Sequence, residues 1–329
     1  MKIYKIGTFL ILTLVVIFVI SFYIRLKIND NQKDIIEIER ISSFDNPIIP
    51  DGFKKIETDL ASWREEKGIP IGWNKGLVIE DEKGNQFVWV PVDLNNLSYD
   101  SYYVAQELQY QRNLLDIENA EELQILKYGG FYVARYEAGI SRTISDDIEL
   151  INVDNNNSVG IPTSQKGSIP WNYINSENAE KSARSMYDLN GIESKLLTER
   201  QWQAIMQWLN GNGYDVYNSS TSWGNYSNVN FSFTGYYSEN NGKSYKYAEK
   251  KSKEKYNIIL SCGATDRNMA NNIYDLAGNL REYVTDSFSQ NYKIAGGYYD
   301  YIGQGAYVIG PNYSQPSSQI GFRVALLFS

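Results

Sequence analysis

Apolar and polar positions alternate over short stretches from Ile49 onward, and in two places they recur instead at helical spacing. Behind Asn175 or Ser176 as a cap, Ala179, Ala183, Met186 and Tyr187 share one face, which predicts a first helix. A second is announced by Thr-Glu-Arg-Gln, a capping box with Thr198 as N-cap and Gln201 three residues on. Trp202, Ile205, Met206 and Leu209 then form its apolar stripe, and Asn-Gly-Asn-Gly ends it. Trp202 on that stripe reads as core rather than as a ligand-stacking residue.

Elsewhere the period is two. Leu77–Ile79 and Phe87–Val92 flank Glu-Lys-Gly-Asn-Gln, the pattern of a hairpin whose second strand stops near Pro91. Gly129 to Gly139 reads as an alternating strand, and "YKIAGGYYDY", "AYVIG" and "IGFRVALLF" read as short closing strands. The polar stretch 238–255, "SENNGKSYKYAEKKSKEK", reads as a solvated loop in which Glu249 and Glu254 balance the lysines of "KKSKEK". With no internal repeat, the sum is one α+β domain of two main helices and many short strands joined by long loops.

The amino terminus follows a different pattern. Gly7 to Ile24 is uncharged and apolar, and eighteen residues of helix would span about 27 Å, close to the hydrocarbon thickness of a bilayer. A cleaved signal peptide is the alternative, but bulky residues in "SFYIRLK" stand where a peptidase wants small ones. The expectation is therefore a cytoplasmic lead over 1–5, a transmembrane signal anchor over 6–24 and a charged stalk over 25–47. An amino-terminal elaboration over 48–130 and a core over 131–329 follow. Lys2 and Lys5 are matched by Arg25 and Lys27, so charge alone orients the span weakly; the short lead favours a single-pass protein of the cell membrane with an extracytoplasmic body.

Composition removes whole classes of chemistry. A formal charge of −8 and the lack of any basic cluster argue against nucleic acid as a partner. Without a histidine there is no Ser-His-Asp or Cys-His arrangement, no His-containing zinc site and no His-ligated haem. The single cysteine, Cys262, allows no intrachain disulfide and reads as a small buried hydrophobe.

Candidate chemistry concentrates in "NIYDLAGNLREYVTD", Asn272 to Asp286, where Asn272, Asp275, Asn279 and Glu282 place four side-chain oxygen donors around Gly278. This pattern suits a metal loop, part of an active site, or a tight turn into a strand. In order along the chain, "FYVARYEAG", "IPWNYINSENAEKSARSMY", "KLLTERQWQAIMQW", "SWGN", "NIYDLAGNLREYVTD", "AGGYY" and "IGFRVAL" resemble the formylglycine-generating enzyme, or sulfatase-modifying factor, family. The resemblance runs from Phe131 to Phe328 and implies that family's variant of the C-type lectin fold.

What the resemblance implies for function is divided. Active members oxidise a substrate cysteine with copper held by two cysteines after a Gly-Gly pair. Counting from Gly296-Gly297, those positions fall at Tyr301 and Ala306, neither of which offers the soft thiolate that copper(I) needs. No copper is expected. The family's calcium loop is implied at the signature, with carboxylates from Asp275 and Glu282 and main-chain carbonyls from Gly278 and Leu280; a second calcium position maps to Asn230 and Phe231. Arg281 stands where the family has a tryptophan, and its guanidinium offers a substitute for the ion by pairing with Asp275 or Glu282. A metal-free turn is the alternative.

The chain also carries 27 tyrosines, and Tyr299, Tyr301 and Tyr313 are candidates for an adaptable ligand face. The expectation is a membrane-anchored extracytoplasmic module that meets a surface polymer, a glycan or a protein ligand without catalysing a reaction. A family enzyme with a different mechanism and a packing subunit of a larger assembly are the alternatives.

Overall fold

Val78–Asp81 and Gln86–Pro91 pair antiparallel, with Val78 opposite Val88 and Ile79 opposite Phe87. The turn between them is closed by Asp81, whose Oδ1 accepts from the backbone nitrogens of Lys83 at 2.9 Å and Asn85 at 2.7 Å. Gly84 takes the left-handed conformation at φ 85° that this turn requires. The hairpin is part of a seven-stranded sheet in the order Phe53–Ile56, Val78–Asp81, Gln86–Pro91, Gly130–Ala134, Val324–Phe328, Ile192–Leu196, Asp188–Leu189.

This is a computed structural model. It describes residues 47–58, 64–66, 69–71, 75–92, 125, 127–140, 149–150, 156–189, 191–286, 289 and 291–328. The lead, the apolar run over 6–24 and all but the last residue of the stalk lie outside them. Among the described residues no helix is long and apolar enough to cross a membrane. Residues Arg40–Ser329 form one unit, mixed α+β and mostly strands.

The alternation expected over Gly129 to Gly139 is absent: the strand is only Gly130–Ala134, and all five residues are buried. The reason is its place in the middle of the sheet, which is covered on both faces. Helix α1, Ser176–Arg184, packs Ala179 and Ala183 with Phe87, Trp89, Tyr132 and Ala134. Helix α2, Glu199–Gly211, packs Trp202, Ile205, Met206 and Leu209 with Val88, Val90, Phe131 and Val133. Period two survives, but it chooses between helices rather than between core and water.

Both helix starts are as the sequence reads. Asn175 Oδ1 accepts from Asn178 N at 2.8 Å. The α2 capping box is complete, Gln201 N donating to Thr198 Oγ1 at 3.1 Å and Thr198 N to Gln201 Oε1 at 2.9 Å. Thr198→Ala is expected to lower the unfolding free energy by about 1 kcal/mol in urea titration. A loss below about 0.3 kcal/mol would mean that packing alone holds the helix start.

The stretch 238–255 is not a solvated loop: Phe231–Ser238 and Ser244–Lys253 form an antiparallel hairpin with Tyr236 opposite Tyr247. Within it Tyr245 and Lys253 are buried while Lys250 stays in water. Lysine stems carry enough methylene to line a strand, which hides the pattern in the sequence. Lys251 is likewise bound, to Glu239 at 2.9 Å, with its ammonium 3.9 Å from the Tyr237 ring centre.

Candidate functional site

In the Asn272–Asp286 segment the backbone dictates the residue types. Asn271, Asn272, Asp275, Gly278 and Asn279 all have positive φ, between 44° and 77°. Asn, Asp and Gly are the residues that tolerate this conformation. A Cβ on Gly278 would run into the Asn225 backbone. The amide and carboxylate groups are then used internally. Asn272 Nδ2 donates to Gly76 O at 2.8 Å. Asn279 Oδ1 accepts from Leu260 N at 2.9 Å, and its Nδ2 donates to Glu137 Oε2 at 2.6 Å. Asp275 Oδ2 accepts from Gly263 N at 2.9 Å and Oδ1 from Asn268 Nδ2 at 3.3 Å. Leu280 is buried, and its N–H donates to Glu137 Oε1 at 3.0 Å.

Glu282 lies in the strand Arg281–Thr285, which pairs in parallel with Ile320–Phe322 so that Glu282 faces Gly321. Two residues past Gly321, Arg323 therefore returns to the face that Glu282 occupies. Its Nε donates to both Glu282 oxygens at 2.9 and 3.1 Å, and Nη2 donates to Oε1 at 2.6 Å. Nη1 and Nη2 also donate to the carbonyls of Ala134 at 3.0 Å and Tyr274 at 2.9 Å. No water reaches the Arg323 guanidinium, and Glu137, Asp275 and Glu282 are each 1% exposed. Burial raises all three carboxyl pKa values: Glu137 well above its ordinary value, Asp275 up to about 6, and Glu282 by less because Arg323 opposes it.

Arg281 does not make the pairing expected of it. Consecutive strand residues point to opposite faces, and its guanidinium lies 4.5 Å from the Tyr298 ring centre. The cation that pairs with Glu282 is Arg323 instead. This bears directly on calcium. Both Glu282 oxygens are engaged by a guanidinium, and Asp275 is held by two N–H donors. An ion taking six to eight oxygens would have to displace a buried arginine. Among the described residues no group of three or more acidic or cysteine side chains converges to hold a metal. As placed, the side-chain oxygens of Asp275 and Glu282 face donors of the protein itself.

At the second expected position Asn230 is exposed, and Phe231 begins a strand directly opposite Lys253. The Phe231 ring centre lies 5.3 Å from the Lys253 ammonium and 4.8 Å from the Arg267 guanidinium. Here too the charged neighbours are cations of the protein itself.

The three candidate tyrosines do not form one face. Tyr299 is 1% exposed and belongs to the core, its hydroxyl donating to Asn241 Oδ1 at 3.0 Å. Tyr313 is anchored through its N–H to Tyr292 O at 2.9 Å, at the far end of the strand Tyr292–Ala295 from the loop that begins at Gly296. Tyr301 is exposed at 41% and tilts on Tyr298 at 5.5 Å between ring centres. Ala306, the other position where a copper cysteine would stand, is fully buried beneath α2, its carbonyl accepting from Trp202 Nε1 at 3.2 Å. The interior behind the loop is filled by Tyr226, against which Gly297 and Gly303 both pack and whose hydroxyl donates to Gln304 O at 3.2 Å.

The loop 297–308 is held along its length. Ser227 N donates to Tyr301 O at 3.0 Å, Ser220 N to Gln304 O at 3.1 Å, and Tyr307 N to Val216 O at 3.0 Å. Gly303 N donates to Asn228 Oδ1 at 3.1 Å. So fixed, the loop presents Tyr301, Ile302 at 69% exposure and Val308 to solvent, with exposed Tyr217 against Tyr307 at 4.9 Å between ring centres.

Sequence reasoning missed Glu137, Lys253 and Arg323. Arg323 carried a signal, a lone charge inside the apolar run "IGFRVALLF". Lys253 carried none, being one of several lysines in a polar stretch. Cys262 is buried, as the sequence suggested, and its thiol donates to Glu137 O at 3.4 Å.

No family model matches the chain, and no curated protein matches it. Among solved structures, one titled "Crystal Structure of CarF" is similar over 61% of this chain and 87% of its own, at 14% identity and a TM-score of 0.36. A likeness of that degree assigns neither fold nor function.

Proposed function

We propose that the chain is a non-catalytic binding module. Its domain is a formylglycine-generating-enzyme-like variant of the C-type lectin fold, presented outside the cell membrane by the apolar run 6–24. The observation that carries this reading is the state of the two oxidase positions. Tyr301 stands at the surface, Ala306 lies in the core, and Tyr226 fills the space behind the loop. Neither position supplies sulfur, and Cys262 is buried beside Glu137. The reading does not include calcium, since Arg323 already holds Glu282.

The ligand face in this reading is the anchored loop with Tyr301, Ile302 and Val308, joined by Tyr217, in place of the Tyr299–Tyr301–Tyr313 set. Exposed tyrosines on a fixed backbone give contact area at low ordering cost. A surface polysaccharide suits it, because sugar rings stack on aromatic faces while the Ser227 and Asn228 side chains border the loop. The test is retention of the full-length protein on cell-surface polysaccharide. Tyr301→Ala combined with Ile302→Ser is expected to weaken it by about tenfold or more, the equivalent of about 1.4 kcal/mol. Unchanged retention would remove the loop as the ligand face. Stoichiometric copper in the purified protein, or oxygen consumption with a cysteine-containing peptide, would replace the binding reading by an enzymatic one.

A further inference from the structure

Lys253 ends the strand Ser244–Lys253 and is wholly shielded from solvent. Its ammonium donates to three backbone carbonyls, those of Tyr226 at 2.6 Å, Val229 at 3.0 Å and Glu254 at 3.4 Å. Nearby, Arg267 donates through Nη1 to Gly224 O at 2.8 Å and through Nη2 to Thr221 O. The loop 221–229 thus turns four carbonyls onto two side-chain cations, and the Phe231 ring lies within reach of both. Carbonyls converging on a buried positive charge are how an irregular loop satisfies a hard cation. Burial, together with Arg267, lowers the lysine pKa to about 8, so at neutral pH the group remains mostly charged.

We propose that the loop 221–229 is a carbonyl-lined cation site occupied by the protein's own Lys253 ammonium, and that it takes a small alkylammonium ion from solution once that side chain is shortened. The buried amine and its carbonyls are mutually dependent. Without the ammonium, the Tyr226 and Val229 carbonyls lose their donor inside the fold, and buried acceptors without partners are costly. The stem contributes separately, by filling the space beside Phe231. At the second expected calcium position the charge that meets the loop carbonyls is Lys253, brought from the opposite strand. The inference does not rest on the polysaccharide reading: Ser227 and Asn228 of this loop border the exposed one, but the carbonyl contacts to Lys253 and a melting readout involve no sugar.

Thermal melting of the full-length protein tests it, using Lys253→Ala, Lys253→Met and Lys253→Arg, with n-propylammonium, 1-propanol and calcium as separate additions. The alanine and methionine forms are expected to melt roughly 5 °C or more below the wild type. Lys253→Arg, which keeps a cation, is expected to melt above both. Propylammonium should return most of the loss to Lys253→Ala while propanol does not, and the wild type should be indifferent to calcium and to a chelator. A methionine form as stable as the wild type would overturn the proposal. So would equal recovery with propanol, which would show that the stem matters and the charge does not. A wild type that gains stability from calcium would show that an ion binds beyond the lysine, and would also overturn it. If the alanine form does not fold, the order of the arginine and methionine forms decides.

Discussion

Replacing Arg323 by methionine is expected to lower the unfolding free energy by about 3–5 kcal/mol at pH 7. Glu282 is paired with the fully buried Arg323 guanidinium, and the buried carboxyls of Glu137 and Asp275 lie within its field. Removing it leaves Glu282 without its counter-charge and strips donors from the Ala134 and Tyr274 carbonyls. Methionine matches much of the volume, so the loss reports charge rather than a cavity. The double form Arg323→Met with Glu282→Met should be markedly more stable than the single one, because the unpaired charge is then gone. Acidification should also restore part of the loss by neutralising the carboxyls. Urea titrations at pH 7 and pH 5 check both points. A single variant within about 1 kcal/mol of the wild type at both pH values would show that the pair has no bearing on stability.

The second large effect is on pH dependence. Burial places the Asp275 pKa at about 6 in the folded protein, against about 3.9 for a carboxyl in the unfolded chain. The folded state therefore holds that proton more tightly, and protonation favours folding. The cost of carrying the charge is absent below about pH 4, grows between pH 4 and 6, and is fully present above that, at about 3 kcal/mol. The raised pKa values of Glu137 and Glu282 act in the same direction. Stability should therefore rise as pH falls from 7.5 to 5, the reverse of proteins held by exposed ion pairs. Asp275→Asn suits the left-handed backbone at φ 59° and keeps one acceptor oxygen, so it should flatten most of that slope. Urea midpoints for both proteins between pH 4.5 and 7.5 measure it. A wild-type curve that falls with acidification, or an identical slope in the variant, would contradict the assignment.

Much of the architecture was legible because it depends on local spacing. The α2 capping box needs only residues 198 to 201, the hairpin around Gly84 only its turn residues, and the α2 stripe only a period of 3.6. Period two in Gly130–Ala134 was legible as a strand but not as a doubly covered one, because coverage depends on helices far along the chain. The hairpin over 231–253 was hidden for a related reason: lysines look solvated unless the carbonyls awaiting them are known.

For the candidate site the division is sharper. Sequence alone determined that no histidine chemistry and no two-cysteine copper centre is available here, since absent side chains cannot be supplied by folding. It also marked Asn272 to Asp286, by its four side-chain oxygens around Gly278, as a metal loop, part of an active site or a tight turn. Only the tertiary structure decided what those oxygens face. Parallel pairing of Arg281–Thr285 with Ile320–Phe322 carries Arg323 to Glu282 across 41 residues of chain. Antiparallel pairing of Phe231 with Lys253 likewise carries an ammonium to the carbonyls of loop 221–229. A carboxylate or a carbonyl has the same sequence signature whether its partner is a metal ion or a side-chain cation. The choice rests on which charge the strand register delivers, a long-range fact that no local pattern encodes.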